Sequence, residues 1–403
     1  MLVDFPEWRA DILEEHAEEL GFLWQRRLSA VRSERADALA LSRIDARIAA
    51  HADALVLAEY QGQKWVAPLL GSGEAAGAAA AAMVMAADAT AHPALVSALC
   101  GAPAAVRAGG LAALCLVAAA PLRQAFYAEA LRSGPLVGAA AALLGAAFHE
   151  APAAEAQPAW RRHDDPEVRR LAWQVEARAS RALGRFRAAP SDYRHALADA
   201  DSATRDEALV AAARTGQTWL LSHLASARPV AEQREALRLL ALLGGVEHAP
   251  LIIAAAREPA LGLARFGLLA ACGRACAVEV LLEFMHDGAE VEAALAGRAF
   301  TRITGVDVAR PERIPLVARG QEPDDFSEDI PRCDAALAEK AWAALRPQLG
   351  DRRWAGGGAV EPASAASLPM ALDLELRWGV QLRAAFESPA EHAPFDDERF
   401  PFE

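Results

Sequence analysis

The sequence predicts an all-α protein made of short helix pairs stacked one on the next, and three observations predict it. Alanine, the best intrinsic helix former, fills about a quarter of the 403 positions. A glycine closes an apolar helical stripe at Gly184, Gly216, Gly244, Gly273 and Gly305, in steps of 32, 28, 29 and 32 residues. No stretch alternates apolar and polar residues for more than a few positions, as a half-buried strand would. A single helix pair cannot bury its own apolar face and must stack on its neighbours. The expected fold is an α-solenoid of HEAT-like helical repeats, with an N-terminal helical hairpin and a partly irregular C-terminal segment.

Residues 1–62 form the hairpin in this reading. Ile12, Leu13, Ala17, Leu20, Leu23, Trp24, Leu28 and Val31 recur at helical spacing, with acids early and arginines late, an order that complements the helix dipole. A second stripe runs through Leu41, Ile44, Ile48, His51 and Leu55, and Tyr60–Gly62 ends it. Residues 63–305 form the repeat array. Between Trp65 and Phe148 alanine blurs the period, with units starting near Trp65, Pro93 and Gly134, and Ala151–Pro158 interrupts the array as a loop. Helices then open at Pro166, Ser202, Pro229 and Pro259, in steps of 36, 27 and 30 residues. Proline suits a first turn, whose amides are unused, and glycine suits the left-handed residue after a last turn. Residues 306–403 hold a proline-rich loop or linker over Val306–Arg332, a helix at Cys333–Leu345, a triple glycine at 356–358, a helix at Leu372–Phe386 and an acidic-aromatic tail.

Composition excludes several classes. Lys+Arg number 41 against 54 Asp+Glu, a net charge of −13, which opposes approach to a polyanion. The longest uncharged runs fall short of the roughly 18–20 residues a membrane span needs. The first twenty residues are acidic where a signal peptide is basic, so the expected location is cytoplasmic. Cys272 and Cys276 are four apart, a spacing that on a helix stacks them on one face, and they read as reduced core thiols. Zinc would need two more ligands, and none are spaced nearby.

No catalytic constellation emerges, and no metal or cofactor is expected. His149-Glu150 is a lone His-Glu step and reads as a helix end. Asp165 and Asp201 sit where helix caps belong, and His16 lies on a solvated face. No Gly-x-Ser-x-Gly or Gly-Lys-Ser/Thr motif occurs. Two features point instead to another protein as partner. Arg178, Arg181 and Arg185 cluster as anchors for acidic groups. Phe326, Phe395, Phe400 and Phe402 stand among carboxylates in segments that dock on their own solenoid or on a partner. Two further readings come from other classes: a HEAT-like enzyme acting on DNA bases or a protein side chain, and an immunity protein that plugs a toxin.

The stretch Ile12-Leu-Glu-Glu-His-Ala-Glu-Glu-Leu-Gly-Phe-Leu-Trp24, followed by Leu41-Ser-Arg-Ile-Asp-Ala-Arg-Ile-Ala-Ala-His-Ala-Asp-Ala-Leu55, resembles the N-terminal signature of a family of uncharacterised bacterial HEAT-like proteins of about this length. Ala299-Phe-Thr-Arg-Ile-Thr-Gly305 resembles that family's closing repeat. Its genes sit beside type VI secretion genes. The resemblance implies a cytoplasmic, non-enzymatic accessory protein of effector loading or spike assembly, and it carries no catalytic residues with it.

Overall fold

The computed structural model describes residues 8–31, 36–179, 183–226, 233–316, 329–360 and 372–388. These residues are overwhelmingly helical, with twenty α-helices and four short strands among them. They form two compact units, one running through Thr215 together with Asp373–Glu375, the other taking in Gly216–Leu372 and the chain from Leu376.

In the first unit, α1 (Trp8–Val31) and α2 (Ala38–Leu57) pair as expected. Arg27 Nε meets Asp45 at 2.6 Å, Arg47 pairs with Glu19, and His16 meets His51 at 3.0 Å, a register that makes the two helices antiparallel. Asp37 caps α2 by accepting the Ala40 amide. The expected stop at Tyr60–Gly62 is instead the start of α3 (Tyr60–Val66). Gly62 lets it lie against α2, because a Cβ there would collide with the Leu55 carbonyl. The unit continues through α4 (Ala75–Met85), α5 (His92–Gly101), α6 (Ala104–Val117), α7 (Ala120–Ser133), α8 (Pro135–Ala146), α9 (Gln157–Trp160), α10 (Pro166–Arg178), α11 (Pro190–Ala196) and α12 (Ser202–Arg214). The loop expected over Ala151–Pro158 therefore contains the start of α9.

Helix α4 packs on α6, α8 on α10, α10 on α12, and α5 on α7, so helices pack on a neighbour beyond the next connection as well as along the chain. Alanine makes this close packing possible. Every residue from Val137 to Ala146 of α8 is buried, although no large aromatic side chain lies among them. Trp24, Leu95, Phe126 and Leu143 are fully buried in the same continuous core.

A recurrent arginine locks the helix starts. The fourth residues of α6, α7, α10 and α12 are Arg107, Arg123, Arg169 and Arg205. Each turns back and donates to a carbonyl five residues earlier: Ala102 at 2.9 Å, Ala118 at 2.6 Å, Asp164 at 2.8 Å and Ala200 at 3.1 Å. Arg169 and Arg205 each reach a second carbonyl, His163 and Asp199, both at 2.7 Å. Their helices also share an aspartate cap, Asp165 and Asp201. Arg169 further grips Asp199 with two nitrogens at 2.7 and 2.8 Å.

In the second unit come α13 (Leu220–Leu224), α14 (Arg234–Leu243), α15 (Ala249–Arg257), α16 (Ala264–Cys272), α17 (Ala275–Asp287) and α18 (Glu290–Thr304). Here α14 packs on α16, α16 on α18, and α15 on α17. Four of the five marker glycines are left-handed, with φ of 52° at Gly184, 64° at Gly216, 59° at Gly273 and 71° at Gly305. The fifth, Gly244, closes α14 in extended conformation at φ −64° and ψ 147°. Pro166 and Ser202 open helices as expected, whereas Pro259 opens only a 3-10 turn, and Pro229 lies outside the described residues.

Beyond Gly305 the expected loop contains β1 (Ala309–Pro315), paired antiparallel with β2 (Asp329–Cys333). Both strands are edges, which is where proline is tolerated in a sheet. Helix α19 (Ala335–Leu349) follows, capped by Asp334. The triple glycine turns a small hairpin of β3 (Trp354–Ala355) and β4 (Gly358–Ala359), and α20 (Leu374–Glu387) is the last described helix.

Candidate functional site

Helices α6, α8 and α10 frame a cavity of about 50 Å³ in the first unit. Its floor is Ala140 of α8. One wall is Ala104, Arg107 and Leu111 of α6, and the other is Glu167, Arg170 and Gln174 of α10. An alanine floor between two longer-chain walls makes a recess, with room for one or two waters or a small polar head group.

The electrostatics of the two walls differ. Arg107 is buried, only 6% exposed, and its guanidinium is bonded to the Ala102 carbonyl. Burial pushes its pKa below the ordinary arginine value, and the Glu167 carboxylate opposes that only in part. Arg170 is held by Glu167 through two bonds of 2.6 and 3.1 Å. Burial disfavours its charge, but Glu167, with Glu207 and Asp201 beyond, outweighs burial and raises its pKa. Gln174 donates to Glu207 at 2.5 Å, extending the polar strip to α12. The recess therefore presents two guanidiniums, of which Arg107 is bonded to a neutral acceptor. Such a wall favours an incoming carboxylate over a cation.

A second polar cluster lies at the other side of α10. Arg161 Nη1 meets Glu176 at 3.3 Å with both side chains at most 2% exposed, and its Nη2 approaches Asp192 at 3.7 Å. Glu176 also accepts the Ala188 amide at 3.0 Å, and Arg161 donates to the Phe186 carbonyl at 3.2 Å. Burial raises the Glu176 pKa against the pull of Ala188 and Arg161. Trp173 packs on Tyr193 with ring centroids 4.8 Å apart, and the Tyr193 hydroxyl meets Thr215 at 3.1 Å. This cluster pins the segment 186–193 to α10.

The residues singled out from sequence fall in different places. Arg178 points inward from the last turn of α10, its Nε enclosed and without a hydrogen-bond partner among the described residues. Arg185 is exposed, its guanidinium 4.8 Å from the Phe186 ring. Arg181, Phe326, Phe395, Phe400 and Phe402 lie outside the described residues. Glu150, read as a mere helix end, pairs with Arg123 at 2.6 Å and accepts the Tyr127 hydroxyl at 2.9 Å. Among the described residues no group of three or more His, Cys, Asp or Glu side chains is arranged to hold a metal ion. None of their helices is long and apolar enough to cross a membrane.

The chain matches no family model, no curated protein and no solved structure.

The recess itself went unread in the sequence, although a signal existed. Arg107 is the single Lys or Arg between Lys64 and Arg123. A lone cation inside an alanine-rich helix must either snorkel to water or be supplied with acceptors.

Proposed function

We propose that the chain is a non-enzymatic α-solenoid scaffold of HEAT-like repeats that binds another protein, and that the α6–α8–α10 recess receives an acidic side chain or terminal carboxylate of that partner. The observation that carries this reading is the recess: Arg107 and Arg170 line it together with Ala140, on three helices whose apolar residues share one core. A preformed wall of this kind loses little entropy when a ligand enters. The solenoid reading is supported by the packing of α4 on α6, α8 on α10, and α14 on α16 on α18. The arginine-and-aspartate helix start, repeated 36 residues apart at Arg169 and Arg205, supports it further. The carboxylate in the recess, Glu167, is engaged by Arg170, which favours binding over proton transfer.

The resemblance of Ile12–Trp24, Leu41–Leu55 and Ala299–Gly305 supports a cytoplasmic accessory of type VI secretion, whose partner is an effector, adaptor or spike component. The test uses Ala104, exposed at the mouth of the recess. A tryptophan there occupies the recess from its exposed rim and leaves the residues of the core unchanged. Tagged wild-type and Ala104→Trp chains are used to capture partners from native lysate at low and moderate salt. A partner retained at least tenfold better by the wild type supports the reading. Equal capture by both excludes the recess, and recovery of the bait alone by the wild type excludes the scaffold.

A further inference from the structure

Cys272 is the last residue of α16, and Cys276 is the second residue of α17. The turn between them is Gly273, left-handed at φ 59° and ψ 23°, and Arg274, extended at φ −109° and ψ 162°. The pair therefore does not share one helix face. The turn folds the end of one helix onto the start of the next and sets the Cys272 and Cys276 thiols close enough to influence each other's ionisation. The two sulfurs are already neighbours in the folded chain.

Their surroundings are unequal. Cys272 is fully buried, whereas Cys276 is half-buried and reachable from solvent. Cys276 also sits in the first turn of the 13-residue α17, at the positive end of its dipole. The neighbouring Cys272 thiol, the amides at the start of α17 and the nearby Arg274 guanidinium hold its pKa down at about 7, against the opposing effect of burial. The neighbouring Cys276 sulfur and burial push Cys272 the other way. Close by lies Arg353, which is buried and hydrogen-bonded to the carbonyls of Leu242, Gly244 at 2.9 Å and Ala271 at 3.4 Å. Its Nε has no hydrogen-bond partner among the described residues. Arg353 and Arg274 thus set positive charge beside the two sulfurs, which favours thiolate.

We propose that Cys276 and Cys272 form a thiol-oxidation site, in which Cys276 is the attacking thiolate, Cys272 the resolving thiol, and a hydroperoxide the oxidant. The Cys276 thiolate attacks one peroxide oxygen. The S–O bond forms, the O–O bond breaks, and the departing alkoxide or hydroxide takes a proton from water. Cys276 is then a sulfenic acid. The Cys272 sulfur, giving up its proton, attacks the Cys276 sulfur. The S–S bond forms, the S–O bond breaks, and water leaves. The two thiols lose two electrons, the peroxide gains them, and an external dithiol reverses the change. The site has a structural connection as well. Trp354 donates to the Gly273 carbonyl at 2.8 Å, and Arg274 donates to the Asp351 carbonyl at 2.5 Å. Any movement of the turn is therefore felt at the β3 strand.

The experiment treats the folded full-length chain with a small excess of hydrogen peroxide, blocks remaining thiols and digests with trypsin without reductant. Cleavage after Arg265, Arg274 and Arg298 separates Phe266–Arg274 from Ala275–Arg298, so a disulfide appears as these two peptides joined and lighter by two hydrogens. The expected result is that joined species, lost on adding a dithiol, with Cys100, Cys115 and Cys333 still reduced. In the untreated protein at pH 7, Cys276 should alkylate about five- to tenfold faster than Cys333, allowing for the weaker nucleophilicity of a more acidic thiol. Cys272→Ser should leave a sulfenic acid on Cys276 that a dimedone probe traps. Recovery of the two peptides unjoined, or oxidation spread equally over all five cysteines, overturns the proposal. The wild-type mapping alone decides it, should the serine variant misfold.

Discussion

Replacing Glu176 with leucine keeps most of the side-chain volume and removes the carboxylate that Arg161 meets at 3.3 Å. The guanidinium then stays buried, at 3% residue exposure, with the Phe186 carbonyl and Asp192 at 3.7 Å as the contacts left to it. Breaking a buried ion pair from one side costs about 3–5 kcal/mol. Asp192 places the loss near the lower end, and the orphaned Ala188 amide adds about 1 kcal/mol. The expected loss is about 3–4 kcal/mol, a fall in Tm of roughly 6–16 °C for a domain of this size. Differential scanning calorimetry reads it. The double variant Arg161→Met/Glu176→Leu removes both charges and should recover most of the loss. If Glu176→Leu melts within about 2 °C of the wild type, or the double variant is no better than the single, the buried pair is not what holds the 186–193 segment.

The arginine at the fourth helix position supplies a graded pair. Arg169→Ala removes four hydrogen bonds, two of them to Asp199, and should cost about 2–4 kcal/mol in chemical denaturation, whereas Arg205→Ala loses two carbonyl contacts and should cost about 1–2 kcal/mol. Arg169→Lys should recover little, because an ammonium cannot span both acceptor pairs. Gly273→Ala combines a positive φ with a Cβ 2.5 Å from the Trp354 carbonyl, so it should cost more than Gly184→Ala, where φ is +52° and nothing lies within 4 Å. Urea midpoints of the two variants compare them directly. The Arg123 hydrogen bond holds the Glu150 pKa below its ordinary 4.5, so the stability it contributes is present above pH 4.5 and is lost as pH falls through the lower folded value. Glu150→Gln should therefore flatten the fall of Tm between pH 5 and pH 3 seen in the wild type.

The helices were legible where side chains differ along the stripe and obscure where they do not. Helices α1 and α2 carry leucine and isoleucine at helical spacing between charges, so both their existence and their pairing could be read. Helices α4 and α8 are uncharged runs of alanine, glycine and other apolar residues, buried over Gly77–Ala82 and Val137–Ala146 with no polar face, so no amphipathic period marks their ends. The marker glycine at Gly244 closes its helix as expected, but in extended rather than left-handed backbone. The strand Ala309–Pro315 was illegible because it is short, proline-bearing and exposed along most of its length. Its partner lies across the segment that joins the two strands. The cysteines show local rules in conflict. Four-residue spacing implied one helix face, while Gly273 between them implied a break, and the break prevailed. The recess required knowing that α6 and α10 flank α8, a long-range fact that no local pattern holds. The bet on Arg178 and Arg185 rested on proximity along the chain, but one side chain turns inward and the other outward.

Gly109 of α6 lies so close to α4 that a Cβ there would collide with the Ala75 carbonyl. At that point main chain rests on main chain, with no side chain between to shorten, lengthen or rotate. The gap between those two rods is thus set by the thickness of the polypeptide itself. Sequence drift elsewhere in the first unit can reshape loops and surface, but this contact leaves a hard stop. Any residue other than glycine at position 109 must push the rods apart, and the displacement is handed on to every helix resting against them.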